Sequence, residues 1–160
     1  MIAITTEGSN KQPLTLTRDH LVYVSNGDGK WSYLFAERTQ PGMLIKRVSG
    51  YQEVTIEVIK SVESKTVKGL YAPVTTTGNI VVDSIMASCY GNHPDHYLSH
   101  QVFAPIRLAY KWAPWIYNGD SVAEDGSHPY VSFLNKYMRT LTGYTLVLSQ
   151  HRLDGMTVYP

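Results

Sequence analysis

Cysteine is almost missing from this chain. One thiol, Cys89, in 160 residues rules out an internal disulfide, and it favours neither redox compartment. Charge is sparse as well. Only 17% of residues are charged and 14 Lys+Arg meet 13 Asp+Glu, so the chain lacks the basic excess that releases counterions from a phosphate backbone. A nucleic-acid partner is not expected. No apolar run approaches the roughly 20 residues of a membrane-spanning helix. The opening Met1-Ile2-Ala3-Ile4-Thr5-Thr6-Glu7-Gly8 has no basic start and too short an apolar stretch to read as a signal peptide. There is no internal repeat and no low-complexity segment. With 43% hydrophobic residues the chain is too apolar for a disordered segment. Its length suits one domain that buries roughly 70% of the unfolded surface.

What is present is mostly β. Leu14 to Thr17 and Leu21 to Val24 are short β-prone runs, and the turn formers Ser25-Asn26-Gly27-Asp28-Gly29 follow them. Trp31 to Ala36 and Met43 to Val48 flank Gln40-Pro41-Gly42, a strong turn signal. Within Tyr51 to Val62, Val54, Ile56 and Val58 alternate with Thr55 and Glu57, the period of a strand with one wet face. Leu70 to Thr76 and Asn79 to Ala87 read as two strands around Thr77-Gly78. Strands at this spacing, without helices between them, predict an all-β sandwich or barrel-like fold. The first strand starts at once, with no polar tail before it. Such a strand is expected to lie unpaired at a sheet edge, as in the latter part of a longer domain.

After Tyr90 the pattern turns helical. Asn92-His93-Pro94 can cap a helix, and His96 to Tyr110 carries Val102, Ile106 and Leu108 with Pro105 breaking or kinking the run. Trp112 to Tyr117 is strongly aromatic, and Asn118 to Ser127 is the best candidate linker. A second helical stretch begins near Pro129, where Tyr130, Phe133, Leu134, Tyr137, Met138 and Leu141 recur on one face.

Four sets of residues could carry chemistry. Thr17 and His20 sit between two β-prone runs. A hydroxyl there can support a tetrahedral species on a scissile amide, while an imidazole gives a proton to the leaving amine. A turn-closing threonine beside a surface histidine is the plainer alternative. Cys89, at a strand end, is either a thiolate nucleophile needing a base such as His20 or a buried small hydrophobe. His93, Asp95, His96 and His100 share helical spacing. Pro94 interrupts them and no HExxH pattern is present, so hydrogen-bonded imidazoles at a helix start are expected, and no metal. The aromatic set Trp112, Trp115, Tyr117, Tyr130, Phe133 and Tyr137 either packs on the β domain, lines a site for a flat apolar ligand, or rests at a membrane interface.

Taken in order, several motifs resemble the C-terminal autoprocessing region of Hedgehog proteins. They are Thr17-x-x-His20, Gly69-Leu70-Tyr71-Ala72-Pro73-Val74, Ala87-Ser88-Cys89-Tyr90, and His96-x-x-x-His100-x-x-Phe103-Ala104-Pro105-x-Arg107-Leu108-Ala109. The stretch from His128-x-Tyr130 to Gly155-Met156 is similar to the sterol-recognition segment that closes that region. The likeness runs over nearly the whole chain; the Thr-x-x-His motif alone would not be specific.

The resemblance implies a mainly β, intein-like Hint fold lacking its first strands in residues 1–109, followed by a short helical sterol-recognition tail in residues 110–160. The family chemistry is self-cleavage through a thioester, then transfer of an upstream signalling domain, held in cis, to cholesterol. Cholesterol is the substrate and no cofactor is implied. Thr17 would orient the scissile peptide and His20 would protonate the departing amine. Cys89 matches the family's second cysteine, near the site but not the primary nucleophile. The tail would dock the sterol or meet a membrane. The secretory pathway, within the endoplasmic reticulum lumen, is the implied location, with a secreted or membrane-associated product.

The departures matter equally. The sequence has no Gly-Cys-Phe start and no carboxylate placed to activate the sterol hydroxyl, so the chain alone is expected to be inactive. Two alternatives stand beside this reading: a non-catalytic sterol- or membrane-binding relative, and a trans-acting half of a split Hint domain.

Overall fold

The β-prone runs pair edge to edge in one long antiparallel network, and the alternating Val54 and Ile56 lie on an exposed face of it, at 53% and 58%. A computed structural model describes residues 1–7, 12–49, 53–67, 73–91, 93–113, 130, 132–134 and 136–137. Among these residues the strands are β1 (Ile2–Thr6), β2 (Leu14–Leu16), β3 (His20–Ser25), β4 (Ser32–Phe35), β5 (Leu44–Ser49), β6 (Glu53–Ser64), β7 (Asn79–Val82) and β8 (Ile85–Gly91). The helices are α1 (His96–Val102) and α2 (Ala104–Trp112), and a single 3-10 turn spans Ala36–Arg38. The strand order is β2-β1-β6-β5-β3-β8-β7, with β4 pairing β3 and a further β5–β8 contact. The fold is mainly β, as the sequence predicts.

The 12-residue β6 joins the two halves of the network. Its first half pairs with β5, Glu53 to Val58 against Ser49 to Leu44. Its second half pairs with β1, from Ile59 against Thr6 to Ser64 against Ile2. Ile2, Ile4, Leu14, Leu16, Val22, Val24, Ala36, Ile45, Ile59 and Ile85 pack together as the core. Each such aliphatic side chain contributes about 2 kcal/mol relative to exposure.

One buried polar knot ties four segments together. Arg47, 1% exposed, donates from Nε to Glu57 at 2.7 Å, from Nη1 to the Asp83 carbonyl at 2.9 Å and from Nη2 to the Thr6 hydroxyl at 3.0 Å. The Thr6 hydroxyl in turn donates to the same Glu57 oxygen at 2.6 Å. A buried guanidinium is tolerated only when its donors are matched in this way.

Three expectations are corrected. The opening strand is not an unpaired edge, because β1 lies between β2 and β6 and pairs with both. Asn79 to Ala87 is not one strand. It is a hairpin, β7 to β8, whose turn residues Asp83 and Ser84 have φ of 49° and 66°. Two consecutive left-handed residues make the type I′ turn that suits the twist of paired strands. Pro73 to Thr75 is not strand, and the turn at Thr77-Gly78 closes through Gly78 N–H to the Thr75 carbonyl at 3.3 Å. Residues 70–72 lie outside the described residues.

The chain divides into two compact units, Met1–Val67 with Pro73–His96, and Lys68–Ala72 with Tyr97–Pro160. The first holds every strand of the described residues. In the second, the run expected from His96 to Tyr110 is broken where Pro105 enters the first turn of α2. Proline fits there because its missing N–H has no helical partner to lose. Phe103 N–H to Ser99 O at 3.1 Å and Arg107 N–H to Phe103 O at 3.3 Å carry the chain across the break. Leu108, Tyr110 and Trp112 on α2 are exposed, Trp112 by 74%. Among the described residues no helix is long and apolar enough to cross a membrane.

Candidate active site

The local sequence Thr17-Arg18-Asp19-His20 folds as a turn. His20 N–H donates to the Thr17 carbonyl at 3.1 Å, and Glu37 N–H donates to the Arg18 carbonyl at 3.0 Å, which pins the turn from outside. The turn delivers His20 as the first residue of β3, half-buried, with Thr17 half-buried at the other end. Gly91 at the end of β8 lets this turn come close. A Cβ built there would stand 3.1 Å from Asp19 O and 3.6 Å from His20 Cα. A glycine in a strand at such a contact marks close backbone approach.

Where β3 meets β8, the ladder is irregular. His20 partners Gly91 and Val22 partners Ala87, so β8 carries two more residues than β3 between those partners. In an ordinary bulge the surplus backbone groups lose their ladder partners. Here side chains replace them. His20 Nε2 lies 2.7 Å from the Ser88 carbonyl, and Tyr90 N–H donates to Ser88 Oγ at 2.9 Å. A carbonyl only accepts, so Nε2 carries the proton and Nδ1 holds the lone pair of the neutral ring. Burial lowers the His20 pKa below 6.5, and the Ser88 hydrogen bond opposes that shift only in part. The ring is therefore neutral at physiological pH, with Nδ1 as its basic atom.

Cys89 follows Ser88 directly and is buried. Its N–H donates to the Gly78 carbonyl at 2.8 Å. The Thr75 hydroxyl donates to Asn79 O at 2.9 Å, and Cys89 Sγ lies 3.3 Å from that hydroxyl, within reach as a weak donor. The Tyr33 hydroxyl donates to Asn79 Oδ1, and burial first, then Tyr23, raises its pKa. Of the two alternatives for Cys89, the structure gives the buried side chain. It stands one residue from the carbonyl that His20 holds.

The histidines once grouped by spacing are dispersed into separate contacts. His93 Nδ1 accepts from Asp95 N–H at 3.1 Å. His96 Nδ1 lies 2.8 Å from Ser88 Oγ, and its ring stacks on Tyr33 with centroids 4.0 Å apart. The His100 pKa is lowered, by burial and then by Arg107. Among the described residues no group of three or more His, Cys, Asp or Glu could hold a metal ion.

The aromatic candidates divide. Tyr130 is anchored: its hydroxyl donates to the Val102 carbonyl at 2.8 Å, and its ring meets Phe103 edge-on at 6.1 Å. Phe133 and Tyr137 stack on each other, both exposed, as Trp112 is. Trp115 and Tyr117 lie outside the described residues. Sequence reasoning missed Gly91 and the contacts of Ser88 with both His20 and His96. A glycine immediately after Ser88-Cys89-Tyr90, at a strand end, was the signal available.

A mainly β fold of this topology, with a Thr-x-x-His turn set against a Ser-Cys strand, corresponds to a defined class. A family model of the Hint module matches residues 1–143, and the chain belongs to that family. Within it, the chain is a hedgehog-type Hint domain. It is 36% identical over 132 residues to the Tiggy-winkle hedgehog protein of Danio rerio, covering 76% of this chain and 31% of that protein. It is 32% identical over 128 residues to the Sonic hedgehog protein of Xenopus laevis, covering 76% and 29%. Against the Indian hedgehog protein of Gallus gallus the identity is 30% over 132 residues, covering 80% and 31%. The chain thus spans about a third of the length of the curated relatives it matches.

Proposed function

We propose that this chain is the Hint part of a hedgehog-type precursor that cleaves itself through a thioester and passes an upstream signalling domain to a sterol, cholesterol by the resemblance. The observation that carries the reading is His20: a half-buried imidazole with Nε2 held on the Ser88 carbonyl beside Cys89, in a chain of the Hint family. That arrangement leaves Nδ1 to move a proton.

The chemistry needs a thiol other than Cys89, because Cys89 is buried on β8 and is the only cysteine present. In this reading a cysteine outside these residues attacks the preceding glycyl carbonyl. The C–S bond forms, the C–N bond breaks, and the departing amine takes a proton from His20 Nδ1, which has gained it from the attacking thiol. Thr17 supports the carbonyl oxygen while it carries charge. A sterol hydroxyl then attacks the thioester; the C–O bond forms, the C–S bond breaks, and the departing thiolate takes up the hydroxyl's proton. Trp112, Trp115, Tyr117, Tyr130, Phe133 and Tyr137 dock the sterol, with the exposed rings of Trp112, Phe133 and Tyr137 as its first contacts. The partner is the upstream domain in cis, and the work is done in the secretory pathway.

The test joins to residue 1 an upstream hedgehog segment containing the Gly-Cys-Phe junction and measures thiol-induced cleavage. The fusion should cleave, and His20→Ala should slow cleavage by about 100-fold or more. Cleavage of the His20→Ala fusion at the parent rate would remove His20 from the mechanism. Deleting residues 110–160 should spare thiol cleavage and abolish sterol transfer; equal transfer without them would refute the docking role.

A further inference from the structure

The bulge in β8 is held by a second histidine that the proposed chemistry does not use. Ser88 is fully buried, and its side chain has two contacts: Oγ accepts from Tyr90 N–H at 2.9 Å and lies 2.8 Å from His96 Nδ1. The same residue offers its carbonyl to His20 Nε2 at 2.7 Å. The two imidazoles are thus linked through one serine, His20 on its carbonyl and His96 on its hydroxyl. The His96 ring is fixed by its neighbours: it lies parallel to Tyr33 at 4.0 Å with an interplanar angle of 10°, and Tyr90 meets it at 5.4 Å and 56°. Tyr33 is fixed in turn by Asn79, on the strand that flanks β8 from the other side.

This matters because the Ser88 carbonyl has no regular partner on the β3 side; its peptide is held from the β7 side alone, where Cys89 N–H donates to the Gly78 carbonyl at 2.8 Å and Ser88 is in register with Asn79. Between the His20–Gly91 and Val22–Ala87 partners the surplus residues of β8 lack β3 ladder bonds, so the Ser88 peptide can rock about its one hydrogen bond on the β7 side. A tilt of the peptide would turn the carbonyl away from His20 and free the ring to exchange tautomers. The contacts of Ser88 Oγ with His96 Nδ1 and Tyr90 N–H limit that rocking from the other side.

We infer that His96 is a positioning residue for His20, acting through Ser88 to hold the carbonyl that keeps the His20 proton on Nε2. The inference rests on the reading of His20 as the proton carrier, but its structural half can be read without cleavage. His96 touches no reacting atom.

The experiment compares three variants of the full chain. His96→Phe keeps the stacked ring and removes Nδ1; His96→Asn keeps a polar atom near the Nδ1 position; Ser88→Ala removes the hydroxyl. Each is tested for folding by chemical denaturation. In each, the His20 ring is read by nitrogen-15 NMR, and thiol-induced cleavage is timed in the fusion carrying the Gly-Cys-Phe junction. His96→Phe and Ser88→Ala should convert the His20 signals from a single Nε2-protonated ring to a mixture of tautomers and slow cleavage about tenfold, the factor of one ordinary hydrogen bond. His96→Asn should restore most of both. An unchanged His20 spectrum in folded His96→Phe would overturn the inference, because packing alone would then suffice. So would a shifted spectrum that His96→Asn fails to recover. If His20→Ala cleaves at the parent rate, the proposed function fails instead, while the spectral comparison still decides whether His96 positions the ring.

Discussion

Replacing Gly91 by alanine is a sharp test of how the turn and β8 fit together, because two effects of opposite sign compete. Gly91 does not occupy the left-handed region, so alanine can adopt its backbone. On chain entropy alone the change should stabilise the fold by about 0.4–1 kcal/mol, since the unfolded chain loses freedom. The added methyl, however, would stand 3.1 Å from Asp19 O and 3.6 Å from Asp19 C and His20 Cα. Those atoms are backbone and cannot rotate away as a side-chain tip would. The Thr17–His20 turn has to retreat by roughly 0.3 Å to reach ordinary contact. Overpacking of this kind costs about 1–3 kcal/mol. The clash wins, leaving a net loss of about 1 kcal/mol and a fall in Tm of about 3 °C. The retreat also stretches the bond from His20 to Ser88, now 2.7 Å, towards roughly 3 Å, the weaker end of the range. Urea denaturation of Gly91→Ala against the parent measures the first effect, and the nitrogen-15 signals of His20 report the second. An alanine variant as stable as the parent or more so, with His20 unchanged, would refute the close approach.

Other predictions follow from the buried groups. Arg47→Met should cost about 3 kcal/mol in chemical denaturation, because it leaves the mostly buried Glu57 carboxylate without its guanidinium; adding Glu57→Gln should recover a large part. A loss under about 0.5 kcal/mol would mean the knot contributes little. His20 gives the fold a pH dependence of known sign. Burial puts its folded pKa below 6.5, so beneath that value the unfolded chain binds a proton the folded chain does not. Stability is full above 6.5, falls as the pH drops below it, and levels off once the folded pKa is passed. In His20→Gln this part of the slope should vanish, which denaturation midpoints at about pH 7.5 and about pH 5 would reveal; an identical slope would place the His20 pKa near its ordinary value.

The strands were legible wherever alternation and turn formers agreed. Val54 to Val58 carries period two and lies in β6, although Val54 and Ile56 are the exposed side and Glu57 is the one turned inward, on Arg47; Gln40-Pro41-Gly42 lies between β4 and β5, with Gly42 at a φ of 92°. Pro105 announced the break between α1 and α2. The β7–β8 hairpin was not legible, since Asp83-Ser84 holds two left-handed residues without the glycine that usually signals them. Nor was the interior place of β1, because which strands cover it depends on β2 and on the far half of β6, long-range pairings that no local pattern encodes. At the site, Thr17 and His20 could be named from their spacing and Cys89 from its rarity. That His20 would reach the Ser88 carbonyl, and that Ser88 would link it to His96, depends on a bulge with no sequence signature of its own. Histidines at helical spacing suggested a shared face; tertiary packing sent His96 to Ser88 and Tyr33 instead.

The central claim is that His20 is held as a neutral ring with its proton on Nε2 and a basic Nδ1 ready for the scissile amide. Nitrogen-15 NMR of histidine in the 160-residue chain near neutral pH measures this directly. The account predicts one His20 ring, uncharged, with a slowly exchanging Nε2 proton and a bare Nδ1, that gains charge only below 6.5. A ring already charged at neutral pH, or one protonated on Nδ1, would contradict it.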